Sequence, residues 1–227
     1  YSHYLHYGVT SQDAIDTAII LQLKDIRILF LDDLKKISKK LISLCINNKS
    51  SYTLTRTRNK HATISTFGLK AANWLMPLLR YVDRLKNLNE TGLFEIQLGG
   101  PVGNLSAFNK KGNILKKKLA NYLNLKFDNN CWHNQRDKIV EFCNLLAMIT
   151  GSIAKAASDI LTLSQDEIGE ITFIKSGYSS SIPHKKNPVL AELLVALAKL
   201  NSSQLATIHE VLVPSEVKIE IKILCFL

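Results

Sequence analysis

From Gly177 to Pro188 the sequence reads Gly-Tyr-Ser-Ser-Ser-Ile-Pro-His-Lys-Lys-Asn-Pro, a run of hydroxyls beside cationic and amide side chains where a proline opens a helix. Lys185, Asn187 and the free amides of a helix beginning near Pro188 give a converging field for an anion. Gly177 and the serines after it supply hydroxyls on a segment free to close over that anion. This suits one kind of chemistry: holding a carboxylate while a proton leaves or joins the carbon beside it. Taken alone, the same residues also read as a flexible linker followed by a basic turn.

Four further stretches precede this one: His6-Tyr7-Gly8-Val9-Thr10-Ser11-Gln12-Asp13, Arg56-Thr57-Arg58-Asn59-Lys60-His61-Ala62, Gln97-Leu98-Gly99-Gly100 and Trp132-His133-Asn134-Gln135-Arg136-Asp137. In this order they resemble segments of the fumarase/aspartase superfamily, across residues 1–210. Gln12, the Gln-x-Gly-Gly run and Trp-His-x-Gln-Arg-Asp are most similar to its carboxymuconate cycloisomerase branch. Pro183-His184-Lys185 is shared with the adenylosuccinate lyase branch. The resemblance implies an all-α fold, a long-helix bundle equivalent to the central domain of the fumarase/aspartase fold. It further implies that 1–210 is that domain, that 211–227 is a divergent tail, and that the chain is a fragment without the terminal domains. Family membership also implies a homotetramer in which loops near Thr10, Thr57 and Ser179 meet from three different chains.

The implied reaction is reversible anti addition or elimination beside a carboxylate of a small polycarboxylate. In the cycloisomerase branch the substrate's own carboxylate closes onto the muconate double bond. Matched by position, Ser179 and Lys185 are the catalytic pair, Ser179 as base. His6, Thr10, Ser11, Gln12, Arg56, Thr57, Gln135, Arg136, Ser180 and Asn187 are matched as substrate ligands. Removing a proton next to a carboxylate builds a second negative charge there, so cationic and amide donors are required. Lowering a serine pKa by roughly five units takes about 7 kcal/mol, which demands a desolvated site. Loop closure is therefore expected to be part of the mechanism. Three positions depart from the pattern. Arg58 stands where the lyase branches place a histidine, and a guanidinium cannot serve as general acid. Lys60 replaces a glutamine, and Tyr178 replaces the glycine before the serines. His61 reads as a polar core residue, or as a nearby acid.

Composition limits the alternatives. With 46% hydrophobic residues, 10 Gly and 5 Pro in 227, the chain is too apolar for disorder and too poor in turn formers for a many-stranded sandwich. The net charge of +10 raises nucleic-acid binding, but Lys35, Lys36, Lys39 and Lys40, and then Lys110, Lys111, Lys116, Lys117 and Lys118, fall on polar faces and ends of amphipathic segments. No nucleic acid is expected. Cys45, Cys131, Cys143 and Cys225 are scattered without a Cys-x-x-Cys pair, which reads as reduced packing residues in a cytoplasmic protein with neither metal nor cofactor. No run of about 18 uninterrupted apolar residues occurs, and no membrane association is expected.

The elements that must position these residues are long helices. Ile15, Ile19, Leu23, Ile26, Phe30, Leu34, Ile37, Leu41 and Leu44 mark one face of a helix over about 13–46, with Asp13 as its cap. Further helices are predicted over about 65–88, with a kink at Pro77, and over 114–123, 136–165 and 188–209, while 217–226 alternates like a strand. Helices of this length need partners, which also permits two readings besides the cycloisomerase: an adenylosuccinate lyase, or an inactive helical oligomerisation remnant.

Overall fold

The computed structural model describes residues 5–173, 177–178 and 186–213. Five α-helices dominate: α1 (Ser11–Asn47), α2 (Phe67–Asn87), α3 (Gly112–Tyr122), α4 (Asp137–Leu163) and α5 (Val189–His209). The all-α expectation holds, and each helix boundary lies within about two residues of the periodic pattern. α2 runs through Pro77 without interruption, although proline denies the Asn73 carbonyl its donor. The strand-like pattern over 217–226 lies outside the described residues.

One short hairpin was not foreseen. β1 (Tyr52–Thr57) pairs antiparallel with β2 (Lys60–Thr66), and Arg58 and Asn59 form the two-residue turn with φ of 49° and 60°. Two left-handed residues in succession match the twist of the strands they join, as in type I′ turns. The register slips between Leu54 and Arg56, because β2 spends two residues, Ala62 and Thr63, opposite Thr55 alone. The Thr55 hydroxyl repairs that bulge. It donates to the Thr63 carbonyl at 2.5 Å and accepts from the Thr63 N–H at 3.1 Å. A second pair, β3 (Gly177–Tyr178) and β4 (Lys186–Asn187), is also antiparallel.

The described residues fall into two compact units, one drawing on 5–32, 83–142 and 207–213, the other on 33–82, 143–173, 177–178 and 186–206. In the first unit Ile20, Leu23, Leu85, Leu93, Ile96, Ile139 and Phe142 are fully covered. Arg27 lies 5.2 Å over the Phe94 ring. Lys116 belongs to this interior. Expected on a solvated face, it is 1% exposed, and its ammonium donates to the Asn130 carbonyl at 2.5 Å. Burial depresses its pKa below the usual lysine value. In the second unit Ala71, Trp74 and Leu163 form a core against Leu41, Leu44, Phe67 and Ile160. The Trp74 indole N–H donates to Asp159 at 2.7 Å, and its ring meets Phe67 edge-on at 5.9 Å.

The covered side of α1 is not the apolar stripe alone. Ile15 and Ile37, expected inside, are 42% and 38% exposed, whereas Asp13, Asp16, Thr17 and Ser38 are buried. By length and hydropathy, α4 and the segment Val189–Leu212 would each suffice to cross a membrane, although polar residues such as Lys155 and Glu192 interrupt them. On α4 the apolar side chains Ile139, Phe142, Leu146 and Ile149 are covered by protein. On α5 they are not. Leu190, Leu193, Leu194, Leu197 and Leu200 are 43–76% exposed.

Candidate active site

α1 begins with a reciprocal cap. Thr10, not Asp13, is the capping residue: the Asp13 N–H donates to the Thr10 carbonyl at 3.1 Å, and the Thr10 N–H donates back to Asp13 Oδ2 at 3.0 Å. Asp13 stands at the third helical position, where a carboxylate reaches the capping amide and offsets the helix dipole. The same carboxylate, only 4% exposed, also receives the Gly99 and Gly100 N–H groups at 2.9 Å each and Gln97 Nε2 at 3.0 Å. Four donors therefore converge on one buried anion. Gly100 holds a φ of +70°, and a Cβ there would stand 2.8 Å from the Gly8 carbonyl, so only glycine lets the two loops approach.

Gln97 extends this network. Its Oε1 accepts from the Trp132 N–H at 3.0 Å, and its backbone brackets the Thr17 hydroxyl, with the carbonyl at 2.9 Å and the N–H at 3.2 Å. The Gln-x-Gly-Gly and Trp-His segments thus hold the amino-terminal end of α1 in place. Around that end, His6, at φ 65°, and Ser11 are exposed, and Thr10 and Gln12 are half-buried.

Two residues matched as substrate ligands meet a buried acid. Arg136, 6% exposed, donates through Nη2 to both oxygens of the fully buried Asp16 at 3.1 and 3.2 Å, and through Nε to the His133 carbonyl at 3.2 Å. Gln12 Nε2 donates to Asp16 Oδ1 at 2.6 Å. Burial raises the Asp16 pKa above the ordinary aspartate value, while Arg136, the Gln12 hydrogen bond and His133 pull the other way. Gln135, next to Arg136, is exposed.

In the second unit the matched segment lies on the hairpin rather than on a helix-end loop. Arg56 Nη1 binds Glu170 Oε1 at 2.7 Å, Thr53 donates to Glu170 Oε2 at 2.5 Å, and Lys70 stands 3.6 Å away. Burial alone would raise the Glu170 carboxyl, but hydrogen bonds from Thr53 and Arg56 and the charges of Lys70 and Arg56 bring it below the usual glutamate value. Beside the hairpin is a pocket of about 350 Å³ whose walls include Arg56, Arg58, Lys70, Lys155 and Asp159. Thr57 is exposed and does not line it. His61, read as a polar core residue, is exposed on β2 opposite Arg56.

Asn187 is half-buried and pairs with Gly177 across β3 and β4. Ser179, Ser180 and Lys185 lie outside the described residues. Among the described residues, no group of three or more His, Cys, Asp or Glu side chains is placed to hold a metal.

Against known proteins, residues 1–200 match the lyase family. The chain belongs to that family. It is 37% identical over 211 residues, 91% of its length, to 3-carboxy-cis,cis-muconate cycloisomerase of Bradyrhizobium diazoefficiens, of which it covers 46%. Its structure is similar to that of 3-carboxy-cis,cis-muconate lactonizing enzyme from Pseudomonas putida, with a TM-score of 0.84 and 37% identity, over 90% of this chain and 45% of that one. Fumarate lyase from Mesorhizobium sp. BNC1 gives a TM-score of 0.84 at 30% identity, over 94% of this chain and 47% of that one. The lyase chain described here therefore spans about half the length of the relatives it matches, and its helical architecture is that of the fumarase/aspartase fold.

Sequence reasoning missed the Asp13 hub and the Glu170 anchor. Asp13 had a legible signal, an acid three positions after Thr10, but its loop partners lie more than eighty residues away in the chain. Glu170 carries no motif and is identified only by what folds against it.

Proposed function

We propose that this chain supplies the central helical part of a cycloisomerase acting on 3-carboxy-cis,cis-muconate. The reading rests on one observation, that 37% identity to a cycloisomerase of that name extends over 91% of the chain. In the proposed reaction the substrate's carboxylate oxygen forms a bond to one alkene carbon. The π pair moves to the other carbon, beside a second carboxylate, and takes a proton there to give 4-carboxymuconolactone. Ser179 exchanges that proton, while Lys185 and Asn187 hold the carboxylate on which charge accumulates. Thr10, Ser11, Thr57, Gln135 and Ser180 orient the remaining carboxylates, and His6 shapes the pocket. Arg136, Gln12 and Arg56 act through their anchors on Asp16 and Glu170. Arg136 and Gln12 fix the start of α1, and Arg56 fixes the hairpin.

The active assembly is a homotetramer of a soluble, cytoplasmic enzyme. The uncovered leucines of α5 support this, since a helix presenting so many apolar side chains gains stability by covering them. The test follows 3-carboxymuconate by its ultraviolet absorbance while light scattering reports the mass, with adenylosuccinate as the competing substrate. Turnover of the muconate by a tetramer, lost in Ser179→Ala, is the expected result. Equal turnover by the alanine variant, or turnover of adenylosuccinate alone, overturns the reading.

A further inference from the structure

The cysteines were expected to be inert packing residues. Cys143 fits that description: it is fully buried, and burial pushes its pKa up to about 11. Cys131 does not. It is half-buried, and its sulfur lies between His133 Nδ1 at 2.6 Å and Gln97 Nε2 at 2.9 Å. Room for the sulfur comes from Gly99, where a Cβ would stand only 2.3 Å from it. The imidazole is within reach of the thiol proton, which is the arrangement of a nucleophile beside its base. Charged groups stand around the pair on two helices, Lys116 on α3 and Asp16 and Asp13 on α1, and Asp13 already meets four hydrogen-bond donors.

We infer that Cys131 and His133 form a nucleophilic thiol–imidazole pair, a site of covalent modification by activated alkenes. In the step, the thiolate sulfur forms a C–S bond to the β-carbon. The alkene π pair shifts to the α-carbon, and that carbon takes the proton held on His133 Nδ1. Thiol and alkene become thioether with no oxidant needed. An acid–base partner beside the sulfur suits addition in particular, because the proton removed from sulfur is the one returned to carbon.

The probe is N-ethylmaleimide on the folded chain, with the adduct at each cysteine followed by peptide mass spectrometry. Cys45, also half-buried, is the internal reference. At about pH 7, Cys131 is expected to react at least about tenfold faster than Cys45, while Cys143 stays unlabelled. His133→Ala should bring the Cys131 rate down to that of Cys45. Should that variant not fold, the ratio of the two rates in the native chain decides. A Cys131 rate equal to that of Cys45 overturns the assignment. Neither readout depends on turnover.

Discussion

Replacing Asp13 by asparagine tests the hub at the start of α1. The substitution keeps shape and volume but turns one carboxylate oxygen into an NH2 group, which then faces two of the four donors now satisfied. Whichever way the amide turns, it opposes a pair: Gln97 Nε2 with the Gly99 N–H, or the Thr10 N–H with the Gly100 N–H. Each buried donor left without an acceptor costs about 1–3 kcal/mol, so about 2–6 kcal/mol is expected in total. That is a large share of the roughly 5–15 kcal/mol that holds an ordinary domain together. Because the chain divides into two units, global unfolding need not be two-state, and a local readout is preferable. Hydrogen exchange by mass spectrometry on peptides spanning 8–18 and 96–103 should show protection falling by at least about 30-fold, the equivalent of about 2 kcal/mol, with peptides of the second unit unchanged. Loss of under about threefold in both peptides would mean that the four contacts carry little of the local stability, and the argument for this hub would fail.

Two other substitutions probe the charged anchors. Asp16→Asn leaves the Arg136 guanidinium buried without its anion and should destabilise the first unit by about 3–5 kcal/mol, whereas the double change Asp16→Leu with Arg136→Met should recover most of that loss, both read by urea denaturation. Glu170 has its pKa lowered in the folded chain, so its contribution is present above the unfolded glutamate value and is lost as pH falls through the folded one. Thermal unfolding between about pH 6 and pH 3 should therefore show a smaller acid-dependent loss for Glu170→Gln than for the native chain; identical curves would remove Glu170 from the account.

The long helices were legible because their signal is local and repeated: Leu23, Leu34, Phe142 and Ile149 recur at helical spacing and are buried. The hairpin was missed, though Thr53, Thr55 and Thr57 alternate in a β-branched series and Asn59 is a residue that tolerates the left-handed turn. The likeness of 56–62 to a family segment lies in side-chain identity and carries no period. Lys116 was misread because charge is a weak guide to exposure when one carbonyl, from Asn130, lies within reach of the ammonium. For the site, the segments indicated which residues matter but not what each one touches. Arg56 and Arg136 look like free cations in sequence and are neutralised by acids 114 and 120 positions away.

The polar residues on the covered side of α1 work as an indexing key. A purely oily stripe would accept a small turn or slide of the cylinder at modest loss, because apolar contacts carry no direction. With Asp13 on the glycine amides, Asp16 on Arg136 and Thr17 on the Gln97 backbone, the same turn would strand two acids and an arginine in a dry interior. Rotation and axial slip are thereby forbidden together, and the helix presents Thr10 in a single direction.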